Sequence, residues 1–425
     1  MSAKPEILFL AHRIPYPPDK GDKIRSWRLF QHLNEKFSVH LACFVDDPGD
    51  LQHTEYLRSL CASAVFVPLR PEIAKLKSVQ GLLNGNALSI HYYHSREMAR
   101  AVDAIRARPL VAEIAFSSTM AQYISAPASV RPRIVDFCDA DSEKWLQYAD
   151  DSTLPMAWVF QREGNRLKCA ENEIANWANI SFAVTPEEAE LFNCRERIKR
   201  LVHWWSNGVD TDYFDPALYL PRVADSADVI FTGAMDYRAN CDAVLGFVAN
   251  VWPRVRQALP HLTFAVVGAR PTKEVRALDG ENGVTVTGRV DDVRPWLSQA
   301  KIVVAPLRVA RGVQNKVLEG MAMAKPVVAS REAATGLAFG DEEPLCVASN
   351  EEMMSAVLIR LVNSPAERNR FGARARAAAI AHYNWEAQLK RFDDAVIPLI
   401  TTQSPSSLDQ SLRKASSSGS SLSVN

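Results

Sequence analysis

The 425 residues show no charge excess, no paired cysteines and no long apolar run. Lys+Arg and Asp+Glu are both 49, and the first 205 residues carry 25 of each. Neither half has the basic surplus with which a polynucleotide binder neutralises phosphates, so no nucleic-acid partner is expected. The seven cysteines, at 43, 61, 138, 169, 194, 241 and 346, are odd in number and scattered, without a Cys-x-x-Cys pair. That usage argues against a disulfide framework and a structural zinc site, and suits a reducing cytoplasm. The opening "MSAKPEILFLAHRIPYPP" has a short apolar run followed by charge and proline, without signal-peptide architecture. No window approaches the ~18 apolar residues of a membrane span. The expectation is a cytoplasmic protein, soluble or at most peripheral to a membrane.

What is present is enough apolar material for two cores, 47% of the chain. Short apolar runs alternate with amphipathic stretches: 6–11, 37–44, 64–69, 133–137 and 180–184, then 228–234, 262–269, 283–288, 301–307 and 325–330. Strands alternating with helices read as doubly wound parallel α/β sheets. Between the two sets, residues 206–227 are rich in turn formers and supply few core residues, so the interdomain linker falls there. One domain is expected over 1–205 and a second over 206–382, the two facing a cleft. Trp385, Leu389, Phe392 and Val396 recur at helical spacing within 383–400, an amphipathic helix that must pack on something. Residues 401–425 contain ten Ser and almost no large apolar side chains, and are expected to be disordered.

The stretch "LRVARGVQNKVLEGMAMAKPVVAS", 307–330, reads as the loop at the carboxyl end of a strand, then a helix, then the next strand. Ligands of open α/β sheets sit at that end, where helix N-terminal amides favour an anion. Lys316 falls in the helix's first turn, where the macrodipole disfavours a cation unless a bound anion offsets it. Glu319, three residues on and on the same face, has the chemistry to accept hydrogen bonds from a ribose diol. A capped surface helix with an ordinary Lys/Glu pair reads equally well from this segment alone.

The segment resembles the donor-site signature of the group 1 (family 4) GT-B glycosyltransferases, through Glu319, "MAMA" (321–324) and "PVV" (326–328). Arg311 stands where that family usually carries its first Glu. "SNGVDTDYFDP" (206–216), "VIFTGAMDYRANCDAVLGF", "TFAVVGARP" and "VTVTGRVDDVRPWLSQAKIVVAPLR" resemble further elements of the family in the same order. The resemblance implies a GT-B fold of two Rossmann-like domains and transfer from a nucleotide-diphosphate sugar with retention at the anomeric carbon. It implies substrate contacts at Gly233, Arg289, Arg311, Gly312, Asn315 and Glu319. In the first of these loops Ala234 and Asn240 stand near the places of the family's diphosphate-binding Arg and Lys, with Arg238 and Lys316 as the substitutes. No metal or other cofactor is implied.

The loop "RIPYPPDKGDKIRSWRLFQHL" (13–33), with Gly21 for close backbone approach, and "IVDFCDADSEKWLQYA" (134–149) resemble a narrower branch: the sugar transferases of exopolysaccharide and PEP-CTERM/exosortase systems. That branch implies a lipid-linked or oligosaccharide acceptor and peripheral contact with the inner membrane. In many family members a His ends the corresponding strand; none does here, and Asp139 is expected to line the reaction centre. Gly21 also reads as a loop hinge, and Asp139, Asp141 and Ser142 as a helix cap. "HYYH" (91–94) offers two imidazoles, short of the three or four ligands of a metal site. "RERIKRLVHWW" (195–205) reads as a solvated helix before a buried strand, with lipid-headgroup contact as the alternative, and Trp145, Trp158 and Trp177 as core rather than a lipid groove. Two rivals remain: a UDP-sugar epimerase of the same fold, and a non-catalytic sugar-binding partner in a polysaccharide assembly complex.

Overall fold

The computed structural model describes residues 4–78, 81, 85–125, 131–218, 221–224, 226–310, 312–339 and 343–402. The chain divides into two compact units, one of Met1–Trp205 with Leu389–Asn425, the other of Ser206–Gln388.

The first unit holds seven strands among the described residues: β1 (Glu6–Ala11), β2 (Ser38–Val45), β3 (Ser63–Pro68), β4 (Ala112–Phe116), β5 (Arg133–Cys138), β6 (Ile180–Ala183) and β7 (Val202–Trp204). Their order is β3-β2-β1-β4-β5-β6-β7, and every pairing is parallel. Ile7 to Ala11 are all fully buried, because helices cover both faces of a parallel sheet and its central strands read as continuous apolar runs. The second unit has β8 (Val229–Thr232), β9 (Phe264–Val267), β10 (Val284–Gly288), β11 (Ile302–Ala305), β12 (Val327–Ser330) and β13 (Cys346–Ala348) in the order β10-β9-β8-β11-β12-β13. Its core gathers Val229, Ile230 and Phe231 with Ile302 to Ala305 and Val327 to Ala329.

The helices that position the sites are α1 (Gly21–Lys36), α2 (Pro71–Ser78), α3 (Asp141–Asp150), α4 (Met156–Trp177) and α5 (Pro186–Asn193) in the first unit, and α6 (Arg238–Gly246) and α7 (Asn315–Ala322) in the second. The last helix, α8 (Trp385–Thr402), contributes Leu389 onward to the first unit, where Phe392 packs 5.2 Å from the Phe182 ring and 5.8 Å from Trp205. Residues 195–200 form turns rather than the expected helix, and β7 follows them. Trp158, expected in the core, is exposed.

A buried ion pair locks the first unit. The Arg25 guanidinium of α1 donates to Asp136 of β5 at 3.1 and 3.2 Å and to the Trp205 carbonyl at 3.0 Å, and lies 3.5 Å over the Trp205 ring. Trp205 Nε1 donates to the same carboxylate at 3.0 Å. Arg25 and Asp136 are both sealed from solvent, so removing the carboxylate strands a cation in the interior. Asp136→Ala is expected to destabilise the unit by about 3–5 kcal/mol. A urea midpoint that barely moves would show that water reaches the pair.

Candidate active site

In each unit the strand order reverses once at the sheet centre, opening a crevice at the carboxyl ends of two adjacent strands. In the second unit these are β8 and β11. Gly233 follows β8 with φ +152°, and a Cβ there would lie 2.8 Å from Asn240 Nδ2 and 3.4 Å from Lys316 Cε. Only glycine fits, and the bare backbone stays open to close approach by a ligand. After β11 the chain turns through Gly312, at φ +62°, and enters α7 at Asn315. Asn315 Oδ1 accepts from Asn207 Nδ2 at 3.1 Å, which ties the "SNGVD" element to the helix start.

Lys316 is buried, although the first turn of a surface helix would leave it exposed. Its Nζ donates to Asn240 Oδ1 at 2.6 Å and lies 4.7 Å over the Phe231 ring, while Asn240 Nδ2 donates to the Ala234 carbonyl at 2.9 Å. Burial pushes the Lys316 ammonium down to about 8, with Glu319 acting in the opposite direction. Burial likewise pushes the Glu319 carboxyl up to about 7, opposed by Lys316. The structure thus brings together Gly233, Asn240, Lys316 and Glu319. It also carries Lys316 to Asn240, the position near which the resemblance expects a lysine. Thr232, at the end of β8, is buried with its hydroxyl unpartnered among the described residues.

The other expected residues lie differently. Arg238 begins α6 exposed, 3.5 Å from Asp242. Arg289 is exposed after Gly288 at the end of β10, an edge strand that β9 separates from the crevice. Arg311 lies outside the described residues.

In the first unit the crevice lies between β1 and β4, and Gly21, exposed, is the first residue of α1. Beside it is a charged cluster that sequence reading missed. Asp22 accepts from His12 Nε2 at 3.1 Å and Arg13 Nη1 at 2.9 Å, and Arg13 Nε meets Asp46 at 2.9 Å. The His12 ring stacks on Phe116 at 5.7 Å. Burial would raise the Asp22 carboxyl, but the His12 hydrogen bond and the Arg13 charge outweigh it and hold it far below the ordinary range. The available signal was "AHR" directly after a strand, with acids after β2 and at the start of α1. Asp139 follows β5, one strand beyond this crevice. Burial, with Glu188 and Asp141 nearby, pushes its carboxyl up to about 7. The rings of His91 and His94 are 6.5 Å apart, and among the described residues no three His, Cys, Asp or Glu side chains gather as metal ligands.

Residues 226–364 match the model of the family described as glycosyl transferases group 1. The match lies within the second unit. Solved structures extend the likeness to the whole chain. Sucrose-phosphate synthase from Thermosynechococcus elongatus superposes with a TM-score of 0.66 at 17% identity, over 94% of this chain and 100% of that one. HepE from Anabaena, solved with UDP and glucose, gives 0.65 at 13% identity over 92% and 99%. The trehalose 6-phosphate synthase of Burkholderia multivorans gives 0.63 at 11% identity over 94% and 100%. Identities this low establish the fold, which is GT-B. No curated protein matches the chain by sequence. Both crevices of this glycosyltransferase fold therefore stand at its sheets' ligand-binding edges, and the second falls within the family match.

Proposed function

We propose that the protein transfers a sugar from a nucleoside-diphosphate sugar, UDP-linked as in the HepE complex, to a hydroxyl of a lipid-linked exopolysaccharide precursor. The observation that carries the donor is Lys316. Among the described residues its buried ammonium has one hydrogen-bond partner, the neutral Asn240, which leaves two of its three donors. Glu319 acts on it only through its charge, so two buried N–H donors are left for an anion. A diphosphate at the α7 N-terminus supplies one, with backbone N–H groups completing its cradle. Glu319 then receives the ribose diol. Catalysis rests on stabilising charge as it develops on the departing diphosphate. Retention, the acceptor class and the PEP-CTERM setting rest on the family resemblance, as does a role for Arg238, Arg289, Arg311 and Asp139. No metal forms part of this reading, and an unchanged rate in EDTA checks that.

A thermal-shift screen of nucleotide sugars identifies the donor, and the labelled donor is then incubated with and without membrane lipid extract. Transfer requires the extract, epimerisation proceeds without it, and a scaffold does neither. Proton NMR of the product reports the anomeric configuration. Glu319→Gln keeps the shape but weakens charge-assisted bonds that contribute roughly 1.5–3 kcal/mol, so donor affinity is expected to fall about tenfold or more. Unchanged calorimetric affinity would remove Glu319 from the site.

A further inference from the structure

The helical hairpin of α3 and α4 ends in an apolar tip that the donor site does not use. α3 leaves β5 at the carboxyl edge of the first sheet, where the Ser142 backbone N–H donates to Glu171 of α4 at 3.0 Å. Further out, a Cβ on Gly164 would lie 2.7 Å from Leu146, and the Trp145 and Tyr148 rings lie 5.5 and 6.2 Å from Phe160. Successive pairings of 142 with 171, 146 with 164 and 148 with 160 describe an antiparallel hairpin whose tip falls near 151–155. At 1.5 Å per residue, α4 from Met156 to the level of Glu171 spans roughly 22 Å, so the tip stands well out from the sheet edge.

The stretch "STLPMAWVFQ", 152–161, carries no charge, and the exposed Asp150 and Asp151 precede it. Leu154 is 80% exposed, Met156 46% and Trp158 58%. We propose that this tip docks on a lipid bilayer, with Leu154, Met156 and Trp158 entering the boundary between headgroups and acyl chains.

The size of the apolar patch decides the occupant. A stable protein interface takes about 800 Å² and 20–30 residues from each partner, which three exposed apolar side chains do not offer. A fluid bilayer admits so small a patch. Tryptophan favours that boundary. Among the described residues no helix is long and apolar enough to cross a membrane, so the contact is peripheral. This inference rests on the lipid-linked acceptor reading and names the surface on which that acceptor is met.

The test uses the full chain and vesicles of phosphatidylethanolamine with phosphatidylglycerol, read by flotation. The wild type is expected to float. The double variant Leu154→Ser, Trp158→Ser is expected to lose about tenfold or more of its bound fraction. Its melting temperature and donor affinity should be unchanged, since both side chains are exposed and outside the donor site. Equal flotation of variant and wild type, or a wild type that stays in solution, overturns the proposal. So does a wild-type dimer that the same substitutions dissociate, because the tip would then face a second copy. Flotation lost in the variant while the wild type binds no nucleotide sugar would support docking and defeat the transferase reading instead.

Discussion

Replacing Lys316 with methionine is expected to lower turnover by about 10²–10³ while leaving the melting temperature within a few degrees of the wild type. The size follows from electrostatic stabilisation, where one preorganised donor to a developing negative charge contributes that much. The small stability effect follows from burial. Holding an ammonium under Asn240 and against Phe231 costs desolvation, and an apolar side chain of similar length removes that cost while leaving Asn240 short of a donor. Steady-state rates beside thermal melts check both halves. A variant that keeps most of its turnover would pass the diphosphate to backbone amides and defeat the assignment.

The same pair sets the pH response. Glu319, held up to about 7 by burial, accepts less well once protonated on the acid side; Lys316, held down to about 8 by burial, loses its charge on the alkaline side. Donor affinity is expected to peak between about pH 7 and 8. Glu319→Gln should flatten the acid limb and Lys316→Met the alkaline one. Both shifts disfavour the charged form in the folded protein, so both cost stability without ligand. The lysine cost is present below about 8 and relieved as pH rises toward 10.5; the glutamate cost is present above about 7 and relieved as pH falls toward 4.5. Affinity that is flat from pH 6 to 9 would mean that neither group titrates at the ligand.

Strands buried on both faces were legible because nothing polar interrupts them: "KIVVAPL" contains β11 and "KPVVAS" contains β12. β4 was missed because Glu113, its second residue, is fully buried and paired with Arg106 at 2.8 Å, so the apolar run breaks in sequence though not in space. Lys316 and Glu319 stood out because both lie on one helix turn. Asn240 did not stand out as the lysine's partner, since 76 residues separate them and only the adjacency of β8 and β11 joins them. In the His12, Arg13, Asp22 and Asp46 cluster only Asp46 is distant in sequence, brought to Arg13 by the pairing of β1 with β2. Trp158 was misplaced because a tryptophan at helical spacing usually packs inward, and composition carries no trace of a hairpin standing away from its sheet.

Ending the chain at Gln388 is expected to abolish folding of the first unit, although its seven strands precede that point by nearly 200 residues. From Leu389 on, α8 supplies Leu389, Phe392, Val396 and Ile400, all buried. At about 1.5–3 kcal/mol for each large apolar side chain, the four contribute roughly 6–12 kcal/mol, comparable with the entire stability of a typical domain. Asp393 adds hydrogen bonds from His32 at 2.9 Å and from Lys36 of α1. Without the helix, Phe182 and Trp205 would face water and seed aggregation. Ending the chain at Thr402 should be silent by comparison, because residues 403–425 contain ten Ser and few large apolar side chains with which to bury surface. Limited proteolysis of the intact protein provides a third comparison. Trimming that halts near residue 402 fits a docked helix, whereas rapid cleavage within 389–400 would show that these side chains do not hold the unit together.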